Sequence, residues 1–222
     1  MNNRRTTCKG FTLTELLVVI VIISLLTLVG IPAFQSIGRA GNLRSATFQV
    51  NTALSLARQQ AITSRQQVVV VFPDDDTSLF AGSGIEPADK SFRAYALFGM
   101  RDGYLTEWRT LPTGVVFDPE FDRQGARNFF LYGGANLTFL TPNIAFPTNQ
   151  DSPTEMFALG FRPDGNVHRG GTASPTLYLA EGTIVSADGG GVQIEIRDEL
   201  PRLGITVNGI TGQTNTREFF DD

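Results

Sequence analysis

The stretch KGFTLTELLVVIVIISLLTLVGIP, residues 9–32, decides how the rest of the chain is read. From Leu16 to Ile31 only Ser24, Thr27 and Gly30 interrupt an apolar run, and one carboxylate, Glu15, stands at its head. Taken over residues 11–34, the run reaches the ~20 residues that a helix needs to cross a bilayer. Arg4, Arg5 and Lys9 precede it, with no acid among the first ten residues, which is the charge pattern that holds an amino end in the cytoplasm. No A-x-A-like site for removal of a secretory signal follows the run, so the apolar segment is expected to stay in the protein.

Further along, Leu43, Thr47, Val50, Leu54, Ala57 and Ala61 recur at steps of four and three, while Arg44, Gln49, Asn51, Arg58 and Gln59 fill the other faces. That is the stripe of an amphipathic helix. Joined to the apolar run, it predicts one helix from about Phe11 to about Ser64, on the order of 80 Å long at 1.5 Å per residue. Its membrane half covers residues 11–34 and its amphipathic half residues 35–66. Pro32 removes a ladder hydrogen bond, and with Gly30 two residues earlier it marks an expected helix kink.

Beyond the helix the pattern changes to strands. Gln67 to Phe72 carries four consecutive valines before Pro73 and Asp74-Asp75-Asp76 end the run. Strands are also expected over residues 92–100, 104–110, 114–118, 156–162, 176–180, 192–197 and 203–208. In the 192–197 run, Val192, Ile194 and Ile196 alternate with Gln193, Glu195 and Arg197, placing one face on a core. Residues 74–90 and 119–153 read as long loops or insertions. The expectation is an α+β fold in which a long N-terminal α-helix packs against an antiparallel β-sheet domain over residues 67–222.

The amino-terminal residues resemble a known family. Gly10-Phe11-Thr12-Leu13-Thr14-Glu15, the apolar run, and Pro32 at the twenty-second place from Phe11 are similar to the type III signal of type IV pilins and type II secretion pseudopilins. The resemblance implies that prepilin peptidase removes the basic leader, residues 1–10, by cutting after Gly10, and methylates the new amino terminus at Phe11. It also implies a role for Glu15. A charge inside a membrane segment costs roughly 2.5–3.5 kcal/mol on insertion scales, so it persists where a partner neutralises it. In the family pattern that partner is the Phe11 ammonium of a neighbouring subunit, which methylation leaves cationic.

Later segments resemble the GspH/FimT subgroup of minor pseudopilins and minor pilins. These are Leu54-Ser55-Leu56-Ala57-Arg58-Gln59-Gln60-Ala61-Ile62, the valine strand, the stretch from Gly103 to Trp108 with Gly114-Val115, and the Phe161-Arg162-Pro163-Asp164-Gly165 turn. The implied function is that of a minor pseudopilin in a type II secretion pseudopilus, serving protein secretion. The alternative is a minor type IV pilin in pilus assembly, adhesion or DNA uptake. Residues 210–222 lack the arginine cluster that DNA-binding members carry there. The implied partners are other pilin or pseudopilin subunits, prepilin peptidase and an inner-membrane assembly platform, with the carboxyl-terminal domain periplasmic.

Charge and composition narrow the classes further. The 222-residue chain has a formal net charge of -4, and losing three of its 18 basic side chains with the leader leaves about -7 against 22 acids. A surface of that sign repels nucleic acid. The single cysteine, Cys8, lies in the leader ahead of the apolar run, whereas a lipid-anchoring cysteine follows one. His168 is the only histidine, so neither a zinc site nor a Cys–His nucleophile can be assembled after processing. Asp74-Asp75-Asp76 lacks the alternating ligand spacing of a calcium loop and reads as a solvated acidic turn. No cofactor, no metal and no catalytic residue are expected, and the chain reads as a structural subunit rather than an enzyme.

Overall fold

The computed structural model describes residues 12–80, 83–122, 127–132, 144–148, 153–167, 174–187, 191–197 and 201–220; for residues 28–37, 77–78, 132 and 153–154 it describes the backbone alone. The chain divides into two units, Met1–Arg39 and Ala40–Asp222. Helix α1, Leu13–Ser64, belongs to both and continues through Gly30 and Pro32. After it come β1 Val68–Phe72, α2 Thr77–Phe80, α3 Pro87–Lys90, β2 Ala94–Gly99, β3 Gly103–Tyr104, β4 Arg109–Thr110, β5 Val115–Phe117 and β6 Arg127–Asn128. The remainder is α4 Phe129–Tyr132, β7 Ile144–Ala145, β8 Pro153–Thr154, β9 Phe157–Phe161, β10 Pro175–Ser186, β11 Val192–Ile196, β12 Arg202–Val207 and β13 Thr214–Phe219.

Within the second unit the strands form two main sheets, antiparallel except where β6 pairs with β10 in parallel. The first has the order β3-β2-β1-β9, with β4 also paired to β2; the second has the order β11-β10-β12-β13, with β5 and β6 also paired to β10. In the first sheet Val70 lies opposite Leu97 on one side and Leu159 on the other, so β1 is a central strand. That position explains its uninterrupted apolar sequence. Val68, Val70 and Phe72 enter a core with the helix stripe, while Val69 and Val71 enter a second core on the opposite face.

The stripe is as expected: Leu43, Thr47, Val50, Leu54, Ala57 and Ala61 are all buried. Ala46 and Ala53, which the periodic reading passed over, are buried beside them and widen it. Thr47 is accommodated because its hydroxyl donates to the Leu43 carbonyl at 2.8 Å. Against the stripe lie Leu177 and Leu179 of β10, Leu203, Ile205 and Val207 of β12, and an aromatic group in which Phe72 meets Phe117 edge-on at 5.2 Å.

The segments expected to be loops cover the outer face of the first sheet. Leu79, Phe80, Ile144 and Phe146 supply the second core with Val69, Val71, Ala96, Met156 and Ala158. Tyr104 donates its hydroxyl to the Ala145 carbonyl at 2.8 Å, and the Trp108 indole N–H donates to the Pro147 carbonyl at 2.9 Å. Two aromatic side chains thus tie the 144–147 segment to the sheet.

Specific polar contacts close the ends. Arg58 Nε donates to the Gly165 carbonyl at 3.1 Å and to the Thr211 carbonyl at 2.9 Å, joining two turns to α1. Gly212, at φ +66°, passes so near Gly165 that a Cβ there would lie 2.2 Å from its carbonyl oxygen, which only glycine avoids. Asp118 accepts Arg202 Nε at 2.7 Å in a nearly buried pair, and its other oxygen accepts the Glu120 and Phe121 amides.

Three expectations change. The 104–110 strand is two short pieces, β3 and β4, because the Thr106 hydroxyl, not a backbone carbonyl, accepts the Leu97 amide at 3.0 Å. The 176–180 strand extends to Ser186, since Glu181-Gly182 is no break: a Cβ at Gly182 would come 2.8 Å from the Glu195 carbonyl of the adjacent strand. Residues 210–222 contain β13, whose mostly exposed TNTREF sequence pairs with β12 from Arg202↔Phe219 to Val207↔Thr214.

Candidate functional site at the helix amino terminus

Thr12 is the residue before the first turn of α1, and its chemistry sets Glu15 in place. The Glu15 amide donates to Thr12 Oγ1 at 3.3 Å, and the Thr12 amide donates back to Glu15 Oε2 at 3.0 Å. This reciprocal exchange is a capping box, which satisfies amides that a helix start otherwise leaves open. The Thr12 hydroxyl donates to the same Oε2 at 2.8 Å, so the 3.1 Å contact between the Thr12 and Thr14 hydroxyls has Thr14 as its donor. Among the described residues, Oε1 takes no hydrogen bond and remains for a donor from elsewhere.

The cap addresses only part of the energetic problem that Glu15 poses. The cap supplies hydrogen bonds to one carboxylate oxygen and the helix amino terminus a favourable field, but neither neutralises the charge. In a membrane segment that charge would still favour an external cation. Sequence reasoning gave Glu15 to a neighbouring subunit and missed Thr12, although the Thr-x-x-Glu spacing ahead of an apolar run carries the signal.

Behind the cap, large apolar side chains point out on every face. Leu13 is 80% exposed, Leu26 67%, and even Val19, the least exposed large one here, is 43% exposed. A helix apolar all round is suited to lipid or to packing among like helices. Its two described hydroxyls are internally satisfied: Ser24 donates to the Ile20 carbonyl and Thr27 to the Ile23 carbonyl, each at 2.7 Å. Among the described residues, no helix is long and apolar enough to cross a membrane; the described side chains of this run stop at Thr27, and the apolar sequence goes on to Phe34.

The other residues singled out by sequence are not brought together with Glu15. Gly10, Phe11, Cys8 and His168 lie outside the described residues, and Gly30 and Pro32 are described by backbone alone. The Asp74-Asp75-Asp76 segment is a turn in which the Asp76 amide donates to Asp74 Oδ1 at 3.0 Å. Burial pushes the Asp74 carboxyl above its ordinary range, opposed by its hydrogen bond from the Asp76 amide. Among the described residues, no three His, Cys, Asp or Glu side chains gather into a metal-holding group.

Comparison with known proteins bears on this region. Residues 5–31 match the family described as Prokaryotic N-terminal methylation motif. No curated protein matches the chain. Among solved structures, the minor pseudopilin EpsH from the Type 2 Secretion System of Vibrio cholerae is similar at 15% identity, over 81% of this chain and 97% of that one, with a TM-score of 0.37. The amino-terminal match is thus a match to a methylation motif, and it spans the capped Glu15 and most of the apolar run behind it.

Proposed function

We propose that this chain is a minor pseudopilin of the GspH/FimT type, a structural subunit of a type II secretion pseudopilus. Prepilin peptidase removes the leader after Gly10 and methylates Phe11. The apolar half of α1 holds the subunit in the bacterial inner membrane, with residues 67–222 in the periplasm, until an assembly platform passes it into the filament. The role is structural and non-catalytic. In the filament Glu15 accepts the Phe11 ammonium of a neighbouring subunit.

The observation that carries this reading is the capped Glu15 at the head of a helix with exposed apolar side chains on every face, inside a match to the methylation motif. The cap fixes the carboxylate beside the amino end and, among the described residues, leaves Oε1 for a cation. Processing is tested by Gly10→Val, which is expected to leave the chain at precursor length on a gel. Deletion of the gene is expected to reduce protein secretion; loss of surface pili with secretion intact would instead assign the chain to a pilus.

A further inference from the structure

Backbone pairing in the second sheet ends at β13. At six residues it is the longest strand among the described residues that is paired on one side only. Its register with β12 runs unbroken from Arg202↔Phe219 to Val207↔Thr214, and the Asn208 amide continues it by donating to the Gln213 carbonyl at 2.8 Å. Opposed residues of antiparallel strands alternate between bonded and non-bonded pairs, so the bonded pairs that follow are Thr206↔Asn215, Gly204↔Arg217 and Arg202↔Phe219. The N–H and C=O groups of Thr214, Thr216 and Glu218 therefore point away from β12. An edge of this kind is a template for a further strand, which proteins blunt with a proline, a bulge or a short length. β13 has none of the three, whereas the β3 and β4 edge of the first sheet is cut into two-residue pieces.

The surroundings of this edge are specified as well. Leu203, Ile205 and Val207 of β12 enter the core with the α1 stripe, so their register partners Glu218, Thr216 and Thr214 lie on the α1 side. The Thr214 hydroxyl donates to Asn51 Oδ1, which pins the start of the strand to the helix. Farther along, a groove of about 330 Å³ lies between β13 and α1, bordered by Arg44, Phe48, Leu203, Thr216, Arg217 and Glu218. Phe48 is 72% exposed there, and Arg44 precedes it by one helical turn. The charged side chains on the groove, Arg44, Arg217 and Glu218, leave one net positive charge, and α1 carries no acid from Ala40 to Ser64. Asp221 and Asp222 follow the strand and lie outside the described residues.

We propose that an extended segment of a different filament subunit adds to β13 as a further strand, bonded to the backbone of Thr214, Thr216 and Glu218. Its alternate side chains enter the groove beside α1, where an apolar one covers Phe48 and an acidic one meets Arg44. Backbone hydrogen bonds supply the affinity of such a contact, and the alternate side chains supply its selectivity. The net positive groove favours an acidic segment and disfavours a basic one. A second copy of this chain would bring the same positive charge to the contact, so charge favours a different subunit, in keeping with a minor subunit placed among others. This inference rests on the filament-subunit reading and names one of its contacts.

The test uses the full chain in cells that assemble the filament. A photoreactive benzophenone side chain replaces that of Glu218, which leaves the backbone groups of the edge in place. Illumination is expected to link the chain to a different protein that carries the same amino-terminal methylation motif, identified by mass spectrometry of the product. Thr216→Pro removes one outward N–H at an edge position that tolerates proline, and should lower the yield at least fivefold. Thr216→Val keeps that N–H and should leave the yield within twofold. Arg44→Glu, on an exposed face of the helix, probes the same contact without touching the sheet and should lower the yield at least threefold. Absence of the link, a link only to a second copy or to a protein without the motif, equal yields for Thr216→Pro and Thr216→Val, or indifference to Arg44→Glu overturns the strand addition. Processing at Gly10 and dependence of assembly on Glu15, measured in the same cells, show whether the subunit reading stands when the strand addition does not.

Discussion

The two halves of α1 share one backbone and obey opposite rules. Between Leu43 and Ala61 the helix has a polar side and a stripe that the sheets bury completely. Between Leu16 and Leu26 it has no polar side, and large apolar side chains stay exposed along its whole circumference. The difference lies in the spacing of apolar residues, every third or fourth in one half and nearly every one in the other. One half completes its packing within the chain. The other half presents apolar surface that suits lipid or other helices, and its only charge among the described residues, Glu15, is capped by Thr12.

That contrast breaks most sharply with one truncation in each half. Leu54→Ala removes a fully buried stripe residue and is expected to lower stability of the second unit by about 3 kcal/mol, read from denaturant unfolding in detergent. Leu16→Ala, at a position 60% exposed, is expected to change the same unfolding by less than ~0.5 kcal/mol. Equal losses at both sites would erase the distinction. Arg58→Ala, which deletes the tie from α1 to the Gly165 and Thr211 carbonyls, should cost about 2 kcal/mol in the same assay.

Smaller effects sharpen the comparison at its edges. Thr12→Ala removes the cap and should cost about 1 kcal/mol of local helix stability, seen as faster amide exchange over the first turn, with the unfolding midpoint of the second unit unchanged. Asp74→Asn keeps the acceptor for the Asp76 amide and removes a carboxylate whose ionisation burial disfavours. Because its folded pKa is raised, stability conferred by the neutral form is lost as pH rises through that value. The variant should therefore melt slightly higher than the parent at neutral pH, and the gap should close as pH falls toward 3.8, the ordinary value for the group.

The features legible in the sequence are those where burial follows a period. The helix stripe, the valine-rich β1 and the half-buried alternation of Val192, Ile194 and Ile196 in β11 are of this kind. β13 escaped because its backbone pairing with β12 needs no apolar alternation, and TNTREF offers none. Phe80, Phe129 and Phe146 build core from segments without regular spacing, so their burial is fixed by long-range packing that no local pattern encodes. Gly182 reads as punctuation, yet it permits a close strand approach. At the candidate site Glu15 was legible as an anomaly of charge, whereas Thr12 required reading the same four residues as a helix start.

The central claim is that Glu15 serves assembly rather than folding or processing. It is tested most directly by following Glu15→Leu and Glu15→Gln in one experiment that measures leader removal, membrane retention and incorporation into sheared filament material. Both variants are expected to be processed after Gly10 and retained in the membrane, with incorporation falling at least tenfold for Glu15→Leu. Incorporation of Glu15→Leu at the level of the unmodified chain would contradict the claim.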